Sequence, residues 1–167
     1  ISGQQTTMPQ DDVHSSMQSQ GADMQQALQA SVAKIPIKWA IPSQWKEIKG
    51  SGMRVATFSS TDIQNMVETS IVSLGGKAGG FSANIVRWMQ QINLSVPDEA
   101  ALQSFIDRQE KIKTQSSLPV TFVDLTQWQE GVDAQTPSMI AAIIEGEGLQ
   151  IFVKMTGSKE AVINQKD

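Results

Sequence analysis

A glycine-rich loop, residues 75–80, has the residue types and spacing best suited to binding an anion. Four glycines surround Lys77 in this loop: Gly75, Gly76, Gly79 and Gly80. Glycines let backbone amides approach an anion, and a lysine adds positive charge. A phosphate-binding P-loop requires Ser or Thr directly after its Gly-Lys pair, whereas Ala78 follows Lys77 here. We therefore favour a tight crossover loop that holds a helix close to a sheet, with anion binding as the alternative.

Arg54, Asn84 and Arg87 form a second candidate group. Arg54 lies on a predicted strand, and the other two lie on the polar side of a predicted helix. Gathered at a cleft, these side chains would bind a carboxylate or a phosphate. An arginine within a strand more often pairs with a carboxylate and holds the sheet together. Glu68 and Asp124 are the candidates for that pairing, and this is the interpretation that we favour.

Four tryptophans could also take part in binding: Trp39, Trp45, Trp88 and Trp128. Tryptophan usually buries a large area in a core or at its edge, and we expect Trp88 in the core because it belongs to an apolar helical stripe. Trp45 follows polar residues, so we expect it to be partly exposed and accessible to a peptide or a carbohydrate. The candidate ligand- or partner-binding residues are therefore Arg54, Lys77, Asn84, Arg87 and Trp45.

The composition excludes several classes of catalytic site. The chain has no cysteine, and His14 is its one histidine, so a thiol nucleophile, a Ser-His-Asp triad and a multi-histidine metal site are all excluded. The acidic residues have neither the spacing of a glycosidase pair nor that of a calcium loop. We expect no cofactor, no metal and no enzymatic activity. An unusual enzyme that uses carboxylates or a Ser-Lys pair is the remaining alternative.

Length and charge limit the chain to one domain with a tail and argue against nucleic-acid binding. The 167 residues carry a net charge of -4, with a pI of about 5.0, so there is no basic excess to neutralise phosphates. Residues 1–34 are rich in Gln and Ser and contain no Trp or Phe, which predicts a flexible tail. Within the tail, Met24, Leu28 and Val32 have helical spacing, so residues 22–33 form either part of a solvated tether or a short recognition helix. The single folded domain is predicted for residues 35–167.

Hydrophobic periodicity in the domain predicts strands, then helices, then strands and a final helix. Strands with period two are expected at residues 35–41, 45–48 (a strand or a turn), 53–59, 68–74, 118–128, 139–144 and 149–155. One helix is predicted from the apolar stripe of Phe81, Ile85, Trp88, Met89 and Ile92. A second is predicted to be capped at Ser95 and to bury Leu102, Phe105, Ile106 and Ile112. The last begins at Lys159. This order predicts an α+β fold, in which helices pack on an antiparallel sheet.

Four segments together resemble an uncharacterised bacterial family of secreted proteins and lipoproteins, numerous in planctomycetes. They are residues 39–45 (WAIPSQW), 52–58 (GMRVATF), 75–91 (GGKAGGFSANIVRWMQQ) and 152–162 (FVKMTGSKEAV). The resemblance implies a Mog1/PsbP-like α/β/α sandwich, a fold that serves mainly in non-catalytic binding or assembly modules. It also implies an export signal and a lipid-bearing cysteine upstream of Ile1, and a last helix that continues beyond Asp167.

The expected function is a non-enzymatic binding or assembly module of the bacterial envelope, either anchored or secreted. Its partner would be a protein or another envelope component, and the N-terminal tail would tether it, through a lipidated residue upstream of Ile1 if it is anchored. The alternative is a small-ligand or anion-binding protein that uses the glycine-rich loop and the basic residues near it.

Overall fold

A seven-stranded antiparallel sheet forms the centre of the computed structural model, which describes residues 37–76 and 79–166. The strands are β1 (Trp45–Ile48), β2 (Arg54–Ser60), β3 (Val67–Gly75), β4 (Lys111–Lys113), β5 (Pro119–Asp124), β6 (Pro137–Gly146) and β7 (Leu149–Ser158). Their order across the sheet is β1-β2-β3-β7-β6-β5-β4. The α+β prediction is confirmed. The predicted tail, with its helix at residues 22–33, lies outside the described residues.

The sheet consists of two meanders that meet where β3 pairs with β7. The first meander is β1-β2-β3, and the second is β4-β5-β6-β7. Two helices carry the chain from the end of β3 to β4 at the opposite edge: α1 (Phe81–Gln91) and α2 (Glu99–Asp107). The second meander then returns, strand by strand, to β3. The centre of the sheet therefore depends on a pairing between distant residues, from Val67 with Gly157 to Gly75 with Leu149.

The side of the sheet that carries α1 and α2 is the helix-covered face. The predicted stripe of α1 is confirmed, because Ile85, Trp88 and Met89 are buried in the main hydrophobic core. The rings of Trp88 and Phe152, from β7, meet edge to face with centroids 5.6 Å apart. Phe105 of α2 is also buried in this core. Large apolar side chains therefore fix both helices over β5, β6 and β7.

The other side of the sheet is the open face, on which the described residues place one short helix. This helix, α3 (Lys159–Asn164), has six residues and is capped by the Ser158 side chain, which accepts a hydrogen bond from the backbone N–H of Ala161. Ala161 and Val162 pack against Val67 and Ile140. Most of β6 is buried on both faces, as its continuous apolar run predicts. The rest of the open face has a second apolar cluster that includes Phe58, Ile71 and Ile151.

Three of the sequence predictions are wrong in detail. Residues 37–41 form no strand, although their side chains alternate, because their backbone joins no neighbouring strand. The cap of α2 is Asp98 and not Ser95, since the Asp98 carboxylate accepts a hydrogen bond from the backbone N–H of Ala101 at 2.8 Å. Ile112 lies on β4 and is 44% exposed, because α2 ends at Asp107.

The strand predicted for residues 118–128 is also shorter than expected. β5 ends at Asp124, and a 3₁₀ helix (Leu125–Trp128) follows it. The Asp124 carboxylate accepts hydrogen bonds from both the backbone N–H and the hydroxyl of Thr126. These two bonds turn the chain out of the sheet, because the Asp124 carboxylate takes the backbone N–H that would otherwise bond to a neighbouring strand.

Candidate functional site

The predicted binding residues lie on opposite faces of the sheet. Arg54 lies on the helix-covered face, on β2, and Arg87 of α1 accompanies Asn84, which accepts a hydrogen bond from it. Trp45 packs on the open face with the apolar clusters. Lys77 lies outside the described residues. The five candidates therefore do not form one site.

Arg54 is held by an ion pair with Glu68. Its Nη1 donates to the Glu68 Oε1 at 2.6 Å, and the two side chains are 36% and 42% exposed. Arg54 lies opposite Val72, so its side chain extends along β3 toward a residue four positions away. The predicted pairing with Glu68 is confirmed, whereas Asp124 pairs with Lys166 at 2.8 Å. An ion pair this exposed contributes little to stability.

Asn84 orients Arg87 at the start of α1. The Asn84 side chain is 2% exposed, and its amide donates to the Gly80 carbonyl oxygen at 2.8 Å. Its Oδ1 accepts a hydrogen bond from Nη1 of Arg87 at 3.1 Å. An atom at the Cβ position of Gly79 would be 4.0 Å from Nη2 of Arg87. The guanidinium group therefore lies beside the end of the glycine-rich loop.

Lys154, on β7, is the cation that the sequence predictions missed. It lies opposite Ser70 of β3 on the helix-covered face. Burial lowers the pKa of Lys154 below its usual value, and the positive charges of Arg54 and Arg87 lower it further. Among the described residues, no carboxylate forms an ion pair with this ammonium group. A lysine within the apolar strand LQIFVKM is the sequence signal that could have identified it.

A groove of about 670 Å³ lies on the open face. One wall is the irregular segment of residues 37–42, and the other includes residues 114–116, before β5. Trp39 leans over the sheet, and its ring meets that of Phe58 at a centroid distance of 6.4 Å and an interplanar angle of 77°. Trp45 is partly exposed, as predicted, but Trp39 is the more accessible of the two, with 41% of its surface exposed.

The floor of the groove is apolar. Ile71, Ile144 and Val153 come from three adjacent strands, β3, β6 and β7, and line the groove together. Of the described residues that line it, Lys38 is the one charged side chain. Such a surface can bind apolar side chains.

The described residues show neither a metal-binding cluster nor a membrane-spanning helix. Residues 37–76 and 79–166 contain no group of three or more His, Cys, Asp or Glu side chains that could hold a metal ion. Within those same two segments, every helix is too short or too polar to cross a bilayer.

Comparisons with known proteins do not assign the chain to a family. No protein-family model matches it, and no curated protein is similar to it.

Proposed function

We propose that this chain is a non-enzymatic binding or assembly module that binds an amphipathic helix of a protein partner in the groove on its open face. The observation that carries this proposal is the groove itself, an apolar concavity of about 670 Å³ beside an exposed tryptophan. Binding pockets are commonly of this size and character. Tryptophan is also enriched among the residues that dominate binding energy at protein interfaces.

The architecture of the sheet favours a helix as the occupant. Among the described residues, two helices cover one face of the sheet, whereas the six-residue α3 lies at one end of the other. Phe58, Ile71 and Ile144 on the floor are at most 9% exposed, whereas Trp39 and Ile41 at the edge of the groove are 41% and 43% exposed. Exposed apolar side chains beside an apolar groove suit the apolar face of a partner helix. The described lining residues include Lys38 and no carboxylate, which favours a helix that carries an acidic residue beside its apolar side chains.

The broader parts of the proposal rest on the sequence. The non-enzymatic role is supported by the absence of cysteine and the single His14. Localisation in the bacterial envelope or outside the cell, with a possible lipid anchor upstream of Ile1, is supported by the resemblance to secreted proteins and lipoproteins. The Mog1/PsbP-like sandwich is supported by helices packed on both faces of an antiparallel sheet.

A displayed peptide library, selected on the full chain, tests the groove. Selected peptides are then labelled, and their affinities are measured by fluorescence anisotropy against wild type and three variants. Trp39→Ser and Ile41→Ser alter the groove. Val96→Ser is the matched control, because Val96 is about as exposed as Ile41 (40% against 43%) but does not line the groove.

We expect peptides with apolar residues at helical spacing, and at least about tenfold weaker binding to Trp39→Ser, as for a central interface tryptophan. Val96→Ser should bind like wild type. Equal binding to all variants, or no selected peptide, contradicts the proposal. Competition by a synthetic peptide of residues 21–34 would identify the chain's own apolar stripe as the occupant and contradict the partner helix.

A further inference from the structure

We propose that Lys154, Arg54 and Arg87 form a binding site for inorganic phosphate or a phosphate monoester on the helix-covered face. This site shares Arg54 and Arg87 with the anion site expected from the sequence, but it is centred on Lys154 of β7 and does not include Lys77. It is also independent of the groove, which lies on the opposite face of the sheet.

The strand register brings the cationic side chains together over β3. Lys154 lies opposite Ser70 on one side of β3, and Arg54 lies opposite Val72 on the other side. Both strands place these residues on the helix-covered face, so two long side chains approach each other over Ser70. Burial lowers the pKa of Lys154, and Arg87, on α1, is near enough for its charge to lower that pKa further. Asn84 holds the guanidinium group of Arg87.

The charges in this cluster are not balanced. Glu68 is the carboxylate that pairs with Arg54, which leaves the cluster with a net charge of about +2 at neutral pH. A half-buried lysine between two arginines destabilises the folded protein unless an anion is bound, and such unfavourable arrangements are concentrated at functional sites. A phosphate group, with a charge of about -1.5 to -2 at pH 7, matches this excess.

Small hydroxyl groups provide further hydrogen-bonding capacity near the cations. Thr57, Ser70 and Lys154 lie side by side on β2, β3 and β7. The hydroxyl of Thr57 has no hydrogen-bond partner among the described residues but lies beneath Gly50. The hydroxyl next to Lys154 is therefore that of Ser70, which is 4% exposed. Arginine and hydroxyl donors around a lysine are a common donor set for phosphate. Arg54 and Arg87 are both exposed, so the anion can enter from solvent.

Titration of the full chain with inorganic phosphate, at an ionic strength held constant with KCl, tests this site. Isothermal calorimetry gives the affinity of wild type and three variants. Lys154→Met removes the central charge and preserves the length of the side chain. Glu68→Gln removes the carboxylate that competes for Arg54. Lys111→Met, on β4 at the far edge of the sheet, is the matched control.

We expect saturable binding to wild type and at least about tenfold weaker binding to Lys154→Met, since a charge-assisted hydrogen bond is lost. Glu68→Gln should bind phosphate more tightly, and this variant keeps the test valid if Lys154→Met folds poorly. Lys111→Met and the groove variant Ile41→Ser should bind phosphate like wild type. Absence of saturable binding, or equal affinity in Lys154→Met and Glu68→Gln, overturns the proposal.

The phosphate monoester could belong to a soluble metabolite or to a lipid headgroup, and two further arms distinguish these sources. Glycerol 3-phosphate tests the soluble form, and phosphatidylcholine vesicles with and without phosphatidic acid test the membrane form. Binding in either arm that is lost in Lys154→Met supports the site and identifies the source. Binding in neither arm, together with saturable binding of inorganic phosphate, supports the site and identifies free phosphate as its ligand, whereas binding that Lys154→Met leaves unchanged contradicts it.

Discussion

Replacing Gly157 by a larger residue should destabilise the sheet, because the start of β3 lies in close contact with this glycine. Gly157 pairs with Val67 of β3 and with Ser138 of β6. A Cβ atom at position 157 would lie 2.8 Å from Cγ1 of Val67 and 2.9 Å from the carbonyl oxygen of Met66. The oxygen belongs to the backbone and cannot move as a side chain would. Gly157→Ala therefore requires β3 and β7 to separate.

The expected cost is that of overpacking a well-packed site, about 1 to 3 kcal/mol. For a domain of this size, each kcal/mol lowers the Tm by roughly 3 to 4 °C, so Gly157→Ala should lower the Tm by about 3 to 12 °C. Urea unfolding followed by circular dichroism gives the free energy of unfolding, and an unchanged m-value would show that the unfolded state is unaffected.

Gly75→Ala is the matched control. Gly75 ends β3, where it pairs with Leu149, and an added Cβ would meet no atom within 4 Å. This substitution should be neutral, or should stabilise the protein by up to about 1 kcal/mol through the unfolded state. If Gly157→Ala were as stable as Gly75→Ala, the close approach of β3 to β7, and with it the register at the centre of the sheet, would be wrong.

Three further predictions concern the helices and Lys154. Asp98→Ala should cost about 0.5 to 2 kcal/mol through the loss of a helix cap, whereas Ser95→Ala should change the free energy of unfolding little; the reverse order in urea unfolding would contradict the cap. Met89→Ala should cost about 2 to 5 kcal/mol because Met89 is fully buried; a cost below about 1 kcal/mol in the same assay would mean that α1 does not pack on the sheet. Folding lowers the pKa of Lys154 below its ordinary value of 10.5. Between the lowered value and 10.5 the unfolded chain therefore binds more protons than the folded one, so the free energy of unfolding should rise with pH in that window. Lys154→Met should lose this rise and be at least as stable as wild type at pH 7, as measured by thermal unfolding across pH. An unchanged pH dependence would show that folding does not disfavour the charged form of Lys154.

The regular elements could be predicted because their periodicity is local. The stripe that contains Ile85, Trp88 and Met89 predicts α1, and the apolar run at residues 139–144 predicts a strand buried on both faces. The strand that periodicity predicts at residues 37–41 is not formed. Alternation indicates which side chains face the protein, but it does not indicate whether the backbone has a neighbouring strand to pair with. Periodicity also failed at Ile112, where the apolar spacing continues although the helix has ended.

The candidate site could be predicted only in part, because it depends on pairing between distant segments. Arg54 and Glu68 belong to consecutive strands, so their ion pair follows from a hairpin-like connection. Lys154 joins Arg54 and Arg87 only because β7 returns to pair with β3, and no local pattern reports that pairing. The groove depends in the same way on Trp39, whose position over Phe58 is set by an irregular segment.

The measurement that most directly tests the binding role is the set of amide chemical-shift changes in the full chain when a selected peptide is added. The proposed function predicts that the largest changes lie around the groove, at residues 37–45 and near Phe58, Ile71, Ile144 and Val153, with little change in α1 and α2. Changes concentrated on the helix-covered face, with the groove unaffected, would contradict the proposed function.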